Sequence, residues 1–208
     1  MSNIYMPTPT DDLLKENAEK FYQFWNFPNC CMSIAGKHIR IVCPPNTGSL
    51  CFNYKEYFST VLLADCKFVA IDVGSYGGEG DAGVYERSNL GQKINAGQMN
   101  FLAPTKLPGT ELLQPYPYPQ ASSAAVATYN YRHCRARRTS ENAFGILCQY
   151  FRIFFTPIAV KRLECVDNII FVTCILHNML RQSKIPCPDQ ITSSNPSLPV
   201  HSCMTLAP

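Results

Sequence analysis

Leu13, Leu14, Ala18, Phe21, Phe24 and Trp25 recur at the three-to-four-residue spacing of one helix face. Thr10 stands before them as a hydroxyl cap and Pro28 stops the run, so the pattern predicts a helix over residues 11–25. Residues 33–42 switch to alternation and are rich in β-branched side chains, the mark of a strand, which Pro44 and Pro45 terminate. Two more short strands are expected at 58–63 and 68–73, joined as a hairpin over 64–67. Gly74, Gly77, Gly78 and Gly80 make 74–80 a loop in which backbone can approach a ligand closely. Asp81 follows and opens a predicted helix to residue 90, where the helix dipole favours a carboxylate. Residues 103–128 are rich in Pro, Ser and Ala and read as irregular. A long helix is predicted over about 131–155, with Phe144, Leu147, Cys148, Phe151 and Phe154 on one face. A more apolar helix is predicted over 163–180. The proline-rich, polar stretch 183–208 is expected to be a disordered tail.

Strands and amphipathic helices together make a domain of both element types. The 208 residues suffice for one such domain with a sizeable core, not for two large ones. Apolar content of 46% and charged content of 16% fit a globular protein. The net charge of +3 says little about partners, but its distribution says more. Between residues 131 and 162, Arg132, Arg135, Arg137, Arg138, Arg152, Lys161 and Arg162 face a single acid, Glu141, which makes a local basic surface. Eleven cysteines do not read as a secreted disulfide framework. Their number is odd, several sit inside apolar runs, and no Cys-x-x-Cys spacing supports a structural zinc site. Cys174 and His177, three apart, read as core packing rather than a metal pair. The expectation is a reduced, intracellular protein. No signal peptide is visible, and the apolar run 169–176 is short of the roughly 20 residues that a bilayer span needs.

The candidate chemistry centres on RARRTSENAFGIL at 135–147, where Glu141 follows a cluster of arginines on a helix. A carboxylate beside a basic strip points to metal-assisted chemistry on a phosphate backbone. Arg132, Arg135, Arg137 and Arg138 fit sequence-independent, salt-sensitive phosphate contact, with Tyr129 and Tyr131 interleaved; they equally fit a solvated helix face. FWNFPNC at 24–30, GKHIRI at 36–41, NYKEYFSTVLLA at 53–64, DAGVY at 81–85 and LHNML at 176–180 occur in a set order with that run. Over roughly residues 7–182 the chain resembles the nuclease domain of PIF/Harbinger-type transposases, a DDE superfamily endonuclease.

The resemblance implies an α/β fold, a ribonuclease-H-like mixed sheet flanked by helices, and metal-dependent hydrolysis of DNA phosphodiesters. Carboxylates would hold magnesium or manganese, which favour hard oxygen ligands. It divides the chain into a helical lead-in at 1–20, a nuclease domain at 21–182 and the tail at 183–208. Asp81 and Glu141 match two acidic positions of the family and are its candidate catalytic and metal-binding residues here. Asp81 otherwise reads as a helix N-cap, and Glu141 as half of a Glu–Arg pair. Lys37 and His38 lie in a segment that faces the family's active site, and they otherwise read as strand-surface residues. With the four arginines they form the candidate contacts to the DNA backbone.

Two departures from the family are expected to impair catalysis. Ala35 stands where the first catalytic aspartate belongs. LPGTELL at 107–113 runs directly into QPYPYP, so the central strand that carries a further aspartate is missing near 113–114, leaving an exposed sheet edge. Asp65 and Asp72 are not promoted in its place, Asp65 being expected in the hairpin turn. The family's N-terminal DNA-binding region is not expected in this chain; the resemblance then implies a separate DNA-binding protein as a possible partner, DNA as the ligand and the nucleus as the location. Three readings stand: an impaired nuclease homologue, a non-enzymatic DNA- or protein-binding module on the same scaffold, and a decayed copy that folds poorly.

Overall fold

The computed structural model describes residue 6, residues 10–97 and residues 124–183. Helix α1 (Asp11–Trp25) begins where its hydroxyl cap predicts: Thr10 Oγ1 accepts the Leu13 amide at 3.3 Å. It ends on Asn26 in the left-handed region (φ 49°), two residues before Pro28. Leu14, Ala18 and Phe21 form its buried face.

Three strands follow: β1 (Ile34–Arg40), β2 (Ser59–Asp65) and β3 (Ile71–Tyr76). They form a sheet in the order β1-β2-β3, antiparallel throughout, with Gly36 opposite Leu63 and Leu63 opposite Asp72. The expected mixed sheet is therefore corrected among the described residues. Among the described residues, parallel pairing is confined to one bridge, Ile41 with Ile158. The region around 113–114, where a strand is expected to be missing, lies outside the described residues, as do residues 184–208.

The hairpin is present, but displaced toward the C-terminus. Phe68 is no strand residue: it sits in the turn at φ 48°, fully buried, with its ring 5.8 Å from Phe144 and 4.8 Å from His177. Its apolar side chain imitates a strand position because it plugs the core from the turn. Asp65 organises that turn, accepting the amides of Lys67 (3.3 Å), Val69 (2.7 Å) and Ala70 (3.0 Å). The expected loop at 74–80 is also shorter, because β3 runs through Gly74. There φ is 108°, and a side chain would meet the Asp167 carboxylate at 3.0 Å, so glycine is required twice over.

The helix expected over 81–90 is two helices, α2 (Asp81–Arg87) and α3 (Asn89–Asn95). Ser88 breaks the run: its hydroxyl donates to the Tyr85 carbonyl (2.7 Å) and accepts from the Gly91 amide (2.9 Å), which starts a new helix. Helix α4 (Ala124–Tyr150) starts earlier than predicted, in the AAVA run at 124–127, and stops at Tyr150. A single 3-10 turn (Arg152–Phe155) replaces its predicted last turn. Helix α5 (Leu163–Gln182) closes the described chain.

Pleating separates two layers. Leu62 and Ala64 point into the main core with Phe144 and Leu147 of α4 and Val166, Ile170 and Cys174 of α5. Val61 and Leu63 point the other way, against Val84 of α2. Each fully buried side chain of this kind contributes about 1.5–3 kcal/mol relative to exposure. By length and composition α5 is the one helix among the described residues able to cross a membrane, longer than the run 169–176 indicated. Its Val166–Ile170–Cys174 side is built into the core.

Candidate functional site

A pocket of about 280 Å³ opens at the β1 edge of the sheet, lined by Ile34, Ala35, Gly36, Leu63, Asp81, Ala82, Tyr85, Arg137 and Glu141. Two acidic positions far apart in sequence meet there, reaching it from opposite sheet faces. Asp81 comes from α2 and Glu141 from α4. Among the described residues, the outer edge of β1 is paired only at its C-terminal end, through Ile158.

Asp81 is not the helix cap. Gly80 holds the cap position without a side-chain bond, and Asp81 is the first helical residue. Its carboxylate lies on Gly36, where an added Cβ would come within 2.8 Å of its Cγ. Glu141 is paired with Arg137 one turn back, at 3.0 Å, with both side chains about half exposed. The Glu–Arg pair and the acidic pocket thus coexist in one arrangement. Ala35 borders the same space and packs toward α4.

The pleat sends Lys37 and His38 to opposite faces, Lys37 opposite Leu62 and His38 opposite Val61. Only His38 shares the face of Gly36 and Asp81. Its Nδ1 lies 3.0 Å from the buried Ser59 hydroxyl. Burial holds its imidazole below the usual pKa, which the Asp81 charge opposes and Lys55 reinforces. The four arginines also divide. Arg135 stacks over Trp25 (4.9 Å) and Tyr131 (5.6 Å), toward α1. Arg137 joins the pocket, and Arg138 is exposed. At 100° per residue Arg132 lies near Arg135, while Arg138 faces away from the buried Ala136 and Ser140. No single basic face holds all four.

What fixes Glu141 against Ala35 is a contact that nothing in the sequence signals. The buried Ser140 hydroxyl donates to the Ser33 carbonyl at 2.6 Å and lies 3.0 Å from the Ser33 hydroxyl, joining α4 to the start of β1. Ser140→Ala is expected to cost about 1–3 kcal/mol, because the Ser33 carbonyl is left buried and unpaired. Urea denaturation measures this, and an unchanged midpoint would refute it.

Elsewhere, Asp65 is committed to its turn amides, and burial pushes its carboxyl up. Cys174 is fully buried with its thiol pushed to about 12 by burial, so it sits in the core as an unreactive group. Among the described residues no cluster of three His, Cys, Asp or Glu could hold a metal.

Residues 34–178 match a family of proteins described as DDE superfamily endonuclease. The chain belongs to the DDE superfamily endonucleases. It is similar to Protein ALP1-like of Arabidopsis thaliana, 26% identical over 88% of this chain and 50% of that protein. It is also similar to Protein Antagonist of Like Heterochromatin Protein 1 of the same plant, 24% identical over 90% of this chain and 52% of that protein. The chain thus spans about half the length of these relatives. No solved structure matches it. DDE superfamily endonucleases use divalent metals, and the donors present bear on which kind of site is available here. Two carboxylates lining one pocket fit one hydrated Mg²⁺ or Mn²⁺, which keeps several waters and takes one or two carboxylates. Among the described residues the pocket offers no third carboxylate for a pair of ions, a methyl group standing at position 35.

Proposed function

We propose that this chain is a transposase-derived, ribonuclease-H-like nuclease domain whose pocket binds one divalent cation together with a DNA phosphate, and whose hydrolysis of phosphodiesters is impaired. The convergence of Asp81 and Glu141 on one pocket beside Ala35 supports this reading best. Asp81 and Glu141 are the ligands. The ion would supply charge neutralisation at the phosphate oxygens. Arg137 is placed to exchange its bond with Glu141 for one to a phosphate, a charge-assisted contact suited to a guanidinium. Lys37, Arg132 and Arg138 add non-specific attraction to the backbone, while Arg135 is occupied by Trp25. A nuclear location and a separate DNA-binding protein partner belong to the same proposal.

Calorimetric titration with manganese tests it. Binding is expected in the natural chain and at least tenfold weaker in Asp81→Ala and in Glu141→Ala. A protein that melts cooperatively and takes up no manganese would overturn the metal-site reading. The Arg137–Glu141 pair favours a second reading, a non-enzymatic DNA-binding module in which Glu141 only restrains Arg137. On that reading duplex binding survives Glu141→Ala and weakens in Arg137→Ala with Arg138→Ala, more so at low salt.

A further inference from the structure

We propose that Tyr54, backed by His38 and flanked by Lys55, is a stacking platform for an unpaired base of the DNA strand whose phosphate lies in the pocket. The inference rests on the reading of that pocket as a DNA site. Tyr54 is the most exposed large hydrophobic side chain among the described residues, at 79%. Its ring nevertheless sits on a rigid mount. Asn53, almost fully buried, accepts the amides of Lys55 (2.9 Å) and Tyr57 (3.3 Å) and donates to the Ser59 hydroxyl (2.9 Å). The Gly77 and Gly78 amides bond to the carbonyls of Ser59 (2.9 Å) and Leu50 (3.0 Å), which pins the segment to the sheet. A buried amide side chain is thus spent on holding an open aromatic ring in one place.

The surroundings suit a nucleotide. His38 meets the Tyr54 ring edge-on, with centroids 5.6 Å apart and planes at 74°. Lys55 Nζ stands 5.4 Å from the ring centroid, and the Arg40 guanidinium 4.4 Å from the nearby Tyr57 ring. Aromatic faces beside cations are how single strands are held without sequence preference: the rings take bases and the cations take phosphates. Position connects this platform to the pocket. His38 lies two residues, about 7 Å, along β1 from Gly36, on which Asp81 rests. Tyr54 therefore stands within about four nucleotide steps of the acidic pocket, at 3.4 Å per step.

The test uses the full chain and a short duplex with a single-stranded overhang carrying 2-aminopurine at successive positions. One position is expected to be quenched on binding. Tyr54→Ala should abolish that quench and weaken overhang binding about tenfold, while Tyr54→Phe retains both. Affinity for the fully paired duplex and the melting temperature should not change in Tyr54→Ala, because the ring is exposed. Equal quenching and equal affinity in Tyr54→Ala overturn the platform and leave the pocket reading intact. Absence of any DNA binding by the natural chain overturns both.

Discussion

Replacing Ala35 by aspartate is expected to tighten manganese binding about 100-fold, roughly 2.7 kcal/mol, by adding a third carboxylate to a pocket that already holds two. The geometry makes this more than a change of charge. Ala35 borders the pocket itself, and the Ser33–Ser140 contact two residues before it holds Glu141 in place. Three carboxylates in one space repel when no ion is present, so Ala35→Asp should melt below the natural chain in chelator. Saturating manganese should then reverse that order, since a ligand that binds only the folded state stabilises it. The neutral control Ala35→Asn isolates the charge. Calorimetry that finds Ala35→Asp no tighter than the natural chain, in a protein that still melts cooperatively, would show that Asp81 and Glu141 do not act as ligands.

Acid is expected to weaken the fold through His177 by roughly 3 kcal/mol. The side chain is 3% exposed, ringed by Phe68 at 4.8 Å and Tyr150 at 5.8 Å. Burial, with a smaller push from Arg181, lowers its pKa to about 4. The unfolded chain takes up the proton near pH 6.5, whereas the folded chain resists it until about 4. Between these values the unfolded state binds more protons, so stability is full above pH 6.5 and falls as the pH drops toward 4. Asp65 and Asp167 act with the opposite sign. Burial raises both carboxyl groups, so the folded state protonates first and gains as the pH falls. The readout is therefore a difference: urea unfolding of the natural chain and of His177→Leu at pH 7 and pH 4.5. The natural chain should lose more on acidification than the variant does. Parallel losses would mean that His177 is protonated in the folded state.

Local chemistry was legible wherever a residue acts on its own neighbours. Thr10 caps α1, the alternation at 33–42 becomes β1, and the apolar face of 163–180 enters the core. Element ends were less so, because residues near them bond in ways that imitate another element. Phe68 is apolar for the sake of the core, not of a strand. Gly74 lies inside a strand and is glycine because its φ and the Asp167 carboxylate leave no room for a side chain, and Ser88 divides one helical run into two.

For the candidate site, the sequence determined the groups, and tertiary packing decided which of them meet. Asp81, Glu141 and the substitution at Ala35 stand out along the chain, since type and local motif are properties of the chain itself. That Asp81 and Glu141 share a pocket depends on β1 lying between α2 and α4, and on a serine pair separated by more than half the chain. The four arginines look like one cluster in sequence. At 100° per residue a helix spreads them over several directions, and contacts with Trp25 and Glu141 assign two of them different tasks. The pleat divides Lys37 from His38 in the same way, and only the packing of α2 decides which of the two stands with Asp81.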